Sequence, residues 1–251
     1  MTVLDPSANL NLAIRDLDEG ATVYLSPGTF NGPLDITKSL TLRATGPGVI
    51  IRSRGDCSVF VNHPVELEIE GITFRRGASY AGFGGLISVI EKGRVTLRGV
   101  TLEEGQSDQG PGAVLCRRGE VVFDRCVLRR NRGLNPEAIR VQSTARIVLR
   151  DSVVIGEGTP KPLIFLHGAS TALVERTTLV QPGGVAMELL GTDFLGYGRV
   201  EIVSSVINGR VASNGEVVER DSAHDVAVDE SGRPVGRSDV GPTPGIALGA
   251  S

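Results

Sequence analysis

The chain has 251 residues, with 26 basic and 29 acidic side chains and a net charge of −3. That balance argues against nucleic acid as a partner, since its binders carry a concentrated basic surface. No run approaches the roughly 20 apolar residues of a membrane helix, so no membrane partner is expected. Residues 1–10 have neither the basic start nor the apolar stretch of a signal peptide, which gives a cytoplasmic expectation.

In chain order, the first predicted element is a helix over residues 7–17. Leu10, Ala13, Ile14 and Leu17 fall at helical spacing, with Ser7 or Asn9 as N-cap. It is expected to form a capping element within residues 1–20. Further on, a six-residue hydrophobic unit recurs at 69–74, 97–102, 123–128, 149–154, 174–179 and 202–207, with starts 28, 26, 26, 25 and 28 residues apart. Such a period marks a repeat in which no unit can bury its apolar side alone. Within a unit the apolar positions step by two, by three and again by two, as in Val95, Leu97, Val100 and Leu102. Steps of two are strand spacing. The step of three, at Arg98–Gly99, would turn the second strand's apolar side outward unless the chain bends there. A third strand precedes each pair, at 58–62, 86–90, 113–117, 139–142, 163–167 and 186–190. Three strands per turn predict an all-β, single-chain parallel β-helix of about seven to eight coils over residues 21–210, at roughly 4.8 Å per coil. Residues 211–251 are richer in Gly, Pro, Asp and Ser and are expected to form a C-terminal cap and flexible tail.

Stacking the units makes sensible columns. Glu66, Arg94, Glu120 and Arg146 alternate in sign, as do Glu70, Arg98, Asp124, Arg150 and Glu175. Arg125, Asp151 and Arg176 form a third column, and Arg75, Glu103 and Arg129 a fourth. Opposite charges in directly facing positions contribute roughly 0.2–1 kcal/mol per pair. One inward column reads Ile72, Val100, Cys126, Ser152, Thr177, Ser205, whose hydroxyls need partners in a core. Cys57, Cys116 and Cys126 are an odd set, read as small core residues rather than as a disulfide or metal framework.

Residues 20–37, GATVYLSPGTFNGPLDIT, followed by KSLTLRATGPGVIIRS, resemble the opening coils of the pectate-lyase-like right-handed parallel β-helix superfamily. The segment 229–241, DESGRPVGRSDVG, is similar to the ending of many bacterial β-helix proteins. The resemblance implies a capping helix and a right-handed solenoid. It also implies that any chemistry lies on the outer face of one sheet and the loops beside it. Activity is not implied, because this fold hosts lyases, hydrolases, epimerases, phage spikes and non-catalytic recognition proteins.

The resemblance directs attention to the outward positions of the third strands. There Arg117, Arg140, Gln142, His167 and Glu188 would line a shallow groove floored by Leu115 and Phe165. Arg117, Arg140, Gln142, Phe165 and His167 are the expected binding residues; if the chain is an enzyme, Arg140, His167 and Glu188 are its candidates. No cluster of carboxylates or metal-ligand spacing is read, so no metal and no cofactor are expected. Arg117, Arg118, Arg132 and Arg140 are left without acidic partners by the stacking scheme. A separate outward column, Val122, Val148 and Leu173, is aliphatic and is expected to be covered by the C-terminal segment, through Val226, Val228, Ile246 and Leu248, or by another chain. The preferred expectation is a non-catalytic binding or scaffolding module for a protein partner or a second copy. The alternative is a lyase or hydrolase acting on an acidic saccharide.

Overall fold

The computed structural model describes residues 2–80 and 82–224. The described residues form a parallel β-solenoid of about eight turns with one short helix. The segment 229–241 and the expected cover at Val226, Val228, Ile246 and Leu248 lie outside the described residues.

The helix spans Leu10–Arg15, with Asn9 as N-cap accepting from the Leu12 amide at 3.1 Å. Leu10 and Ile14 point into the first coil and are buried. Lys38 closes the other end, donating from Nζ to the Arg15 and Leu17 carbonyls at 2.8 and 2.6 Å, where a cation also meets the negative end of the helix dipole. A strand not anticipated from the sequence, Thr2–Leu4, precedes the helix and pairs in parallel with Ala21–Leu25.

Three faces follow. The first is a ten-stranded parallel sheet running from Thr2–Leu4 to Glu216–Arg220. The second holds short strands such as Thr101–Glu103 and Val127–Arg129, and the third holds Val59–Val61, Ile87–Val89, Val114–Cys116, Ile139–Gln142 and Pro162–His167. The second and third faces join into one 15-stranded sheet through Thr178–Leu190, which carries on around the corner. The predicted columns are in register: Glu66, Arg94, Glu120 and Arg146 face one another across successive strands, and so do Glu70, Arg98, Asp124, Arg150 and Glu175. Regular coiling does not stop near residue 210. Glu216–Arg220 pairs residue for residue with Arg199–Val203, and Ala223–His224 continues the second face.

The bend expected at Arg98–Gly99 is a single residue in the left-handed region. Gly71, Gly99, Arg125, Asp151, Arg176, Ser204 and Asp221 hold it in successive coils, with φ from +47° to +70°. One such residue turns the chain and restores the inward parity on the next strand. The hydroxyl column directly follows this bend. The hydroxyls of Ser152, Thr177 and Ser205 accept from the amides of Cys126, Ser152 and Thr177 in the preceding coil, at 3.0, 3.3 and 3.1 Å. Each hydroxyl donates in turn to the carbonyl two residues back in its own coil. Partners are therefore backbone groups, not neighbouring hydroxyls. Ser222 adds a further rung by accepting from the Ser205 amide at 3.3 Å.

The interior is aliphatic with three fully buried rings, Phe30, Phe74 and Phe123. Cys57, Cys116 and Cys126 are buried free thiols. Burial pushes their pKa values up to about 12, 12 and 11, so they stay protonated core residues.

Candidate binding face

The third face is uncovered along only part of its length. A ribbon of Ala78–Ser79, Gln106–Ser107 and Arg132–Gly133 carries glycine-rich loops back over the lower coils. The loops approach one another backbone to backbone: a Cβ on Gly85 would lie 2.2 Å from the Gly112 carbonyl oxygen. The Phe83 ring meets Phe60 edge-on at 5.3 Å, and Ser88 accepts from the Gly84 amide at 2.9 Å. As a result Ser88 and Leu115 are buried. Leu115 is therefore no part of a groove floor, contrary to the sequence expectation, because loops outside the repeat pattern cover it.

Above this cover the expected binding residues come together. Arg140, Phe165 and Glu188 stack in register as one outward column, and Gln142, His167 and Leu190 as the next. The Arg140 guanidinium carbon lies 5.6 Å from the centre of the Phe165 ring, and the His167 ring stacks on the same phenyl at 5.9 Å. Gln142, with its amide oxygen turned to Arg140, accepts from Nε and Nη2 at 2.9 and 3.3 Å. Arg117 lies against the other side of that amide, with Nε at 3.5 Å. Burial, and then the charge of Arg117, hold the Arg140 pKa below the usual arginine value.

Arg118 and Arg132, expected to be unpaired, meet Glu91 at 3.7 Å and Glu157 at 2.9 Å. Both acids sit outside the stacked columns, so the repeat pattern could not supply them. Arg117 and Arg140 have no carboxylate partner among the described residues, and they lie side by side on this face. The enzyme candidates Arg140, His167 and Glu188 share the face, but among the described residues no hydrogen bond or ion pair joins His167 to Glu188. Other carboxylates are committed elsewhere. Glu137 is buried and accepts from the Glu157 amide at 3.0 Å and from the Thr159 hydroxyl; Asp193 accepts from the Tyr197 hydroxyl at 2.7 Å. Among the described residues no group of three or more His, Cys, Asp or Glu is placed to hold a metal ion.

The sequence reading left one feature out of the site. Leu190, Phe194, Leu195 and Tyr197 are four of the eight exposed large apolar side chains among the described residues, and Phe194 is 95% exposed. Their loop is anchored at the end of the third face. The Ala169 amide donates to the Leu195 carbonyl at 3.1 Å, just past His167, and Asn214 holds Gly191 from above. Two aromatics within four residues, in a chain with ten in all, were the available signal.

Two further concavities, each of about 440 Å³, lie on the other faces. Arg76, Glu104, Arg130 and Arg132 line one, while Arg98, Val122, Arg150 and Arg176 line the other. Their arginines are ion-paired within the chain. In the aliphatic column, Val122 is 9% exposed and Val148 3%, whereas Leu173 is partly exposed.

No protein-family model matches the chain, and no curated protein matches it in sequence. Among solved structures, it is similar to a pectin methylesterase mutant in complex with a hexasaccharide, with 11% identity, 97% of this chain and 98% of that chain covered, and a TM-score of 0.50. A PL6 family polysaccharide lyase from Pseudopedobacter saltans has 11% identity, coverage of 97% of both chains and a TM-score of 0.42. ORF18 of Geobacillus virus E2 has 12% identity, coverage of 88% of this chain and 60% of that chain, and a TM-score of 0.46. At such identity the likeness to the methylesterase concerns the fold and carries no reaction with it. What the likeness shows is the fold, a parallel β-helix.

Proposed function

We propose that this protein is a non-catalytic binding module that holds carboxylate groups of a protein partner on its third face. The observation that carries this reading is the pair Arg117 and Arg140, adjacent and without acidic partners among the described residues, on a surface where neighbouring arginines are ion-paired. Arg140 is also fixed in place, between the Phe165 ring and the Gln142 amide. A guanidinium held in this way loses little freedom when a carboxylate docks, and a second cation beside it raises the gain from binding an anion. The rigid parallel sheet beneath supplies the positioning.

The test is binding of poly-L-glutamate, followed by fluorescence anisotropy. Arg117→Gln with Arg140→Gln should weaken it by about tenfold or more, with an unchanged unfolding midpoint, and added salt should weaken binding to the parent protein. Equal binding by the parent and the double variant would overturn the reading. A second reading, an enzyme on an acidic saccharide, rests on Glu188 sharing this face with the arginines. It requires the parent protein to release reducing or unsaturated ends from a polyuronate, and Glu188→Ala to stop that release.

A further inference from the structure

Building on that binding face, we propose that its partner is an extended peptide segment carrying an acidic side chain and, three or four residues away, a large apolar one. The acidic group would sit on Arg117 and Arg140, and the apolar group on the patch made by Leu190, Phe194 and Leu195.

Both halves of this surface lie on neighbouring coils of the third face, with Phe194 and Leu195 in the loop that follows Leu190. Arg140 lies on Ile139–Gln142, His167 on the next coil, and Leu190 on the coil after that. Two coil steps of roughly 4.8 Å, with an offset of two residues along the strand, separate Arg140 from Leu190 by about 12 Å. An extended chain advances roughly 3.3 Å per residue, so three or four residues bridge that span. The apolar half is three exposed side chains within residues 190–195, and the Gly168 and Ala169 amides bind the Leu190 and Leu195 carbonyls at 3.0 and 3.1 Å, which holds the two leucines close together. Contiguous exposed apolar surface of this kind marks an interaction site, and Phe and Leu at its centre with arginine at one end give the composition of an interface core and its charged edge.

The chemistry of the patch favours a peptide over a saccharide. Sugar recognition pairs an open ring face with a dense set of free hydrogen-bonding groups. Here the Phe165 ring is 5% exposed and already in contact with Arg140 and His167, while the Tyr197 hydroxyl is taken by Asp193. Leu190, Phe194 and Leu195 present exposed apolar side chains instead. A partner with aliphatic or aromatic side chains fits that lining.

The experiment is an array of ten-residue peptides in which one Asp or Glu and one Leu, Phe or Trp are moved through every mutual spacing, with hexagalacturonate on the same surface. The parent protein should bind best at spacings of three and four. Phe194→Ser, at a side chain 95% exposed, should lower that signal about tenfold, to the level of acidic peptides without an apolar residue. Arg117→Gln with Arg140→Gln should abolish binding of both peptide kinds. If Phe194→Ser and the spacing have no effect while the arginine variant does, the peptide assignment is overturned and the binding face stands. Binding to hexagalacturonate alone, or to nothing on the array, overturns both.

Discussion

The left-handed corner residues show how local backbone demand and side-chain chemistry divide the work within a coil. Only Gly71 and Gly99 meet the demand without strain; Arg125, Asp151, Arg176, Ser204 and Asp221 adopt positive φ with a Cβ, at a cost of roughly 1–2 kcal/mol each. At Arg176 the cost is offset in part by a two-pronged contact with Asp151, at 2.7 and 2.9 Å. Ser204 is exposed, and its side chain has no such compensation among the described contacts. Ser204→Gly should therefore raise stability by about 0.5–1 kcal/mol, less than the full strain because glycine also loosens the unfolded chain. Denaturant titration measures it, and a loss of stability would remove strain from the account of these corners. The hydroxyl rungs make the opposite prediction. Thr177→Val preserves shape but leaves the Ser152 amide without its acceptor, which should cost about 1–3 kcal/mol, whereas Thr177→Ser should be close to neutral. The bend was legible in the sequence because a parity slip has few geometric solutions. The direction of the hydroxyl bonds was not, since a residue type does not name its partner.

Between coils, the charge columns turn register into energy unequally. Most pairs lie at the surface and are worth little individually. Glu103 differs: it is 1% exposed and accepts from Arg75 Nε at 2.6 Å and Arg129 Nε at 2.9 Å, one coil below and one above. Burial alone would raise its pKa, but the hydrogen bonds and charges of Arg75 and Arg129 outweigh this and lower it. A depressed carboxylate pKa stabilises the fold above the ordinary carboxylate range, and the contribution disappears as pH falls through the folded value. Glu103→Gln should thus cost about 1–3 kcal/mol at neutral pH, discounted because both arginines reach solvent. The gap from the parent protein should close in titrations below about pH 4. A gap independent of pH would show that the loss is one of shape rather than charge. The columns were readable because they repeat. Glu91 and Glu157, which neutralise Arg118 and Arg132, were not, because loop positions have no period to fix them. For the same reason the burial of Leu115 and the position of the Phe194 loop beside this face were not legible, whereas Arg140, Gln142, Phe165 and His167, all on strands, were placed together by stacking alone.

Along the rod, each described strand hydrogen-bonds only to strands of the coil before and the coil after, so stability is approximately a sum of coils and the interfaces between them. Loops cover the third face at Phe60 and Ser88, while the upper coils leave it open at Arg140, Phe165 and Leu190. The open part of this face is thereby confined to one stretch of an otherwise regular surface. Interior strands of the first sheet have a neighbour on both sides: Glu120–Asp124 lies between Arg94–Arg98 and Arg146–Arg150. Glu216–Arg220 has one neighbouring strand among the described residues, and its side chains are partly or fully exposed. Opening it breaks one interface, whereas opening the middle breaks two. Hydrogen exchange followed by mass spectrometry should accordingly find amides of Glu120–Asp124 protected up to the global stability, and those of Glu216–Arg220 exchanging through local fraying. The same asymmetry should appear in substitutions. Phe123→Ala, at a fully buried ring, should cost about 3–5 kcal/mol, and Val217→Ala about 1 kcal/mol or less. Equal protection along the sheet, with equal costs at both positions, would mean that the rod opens as one cooperative body and that its interfaces cannot be treated as separate terms.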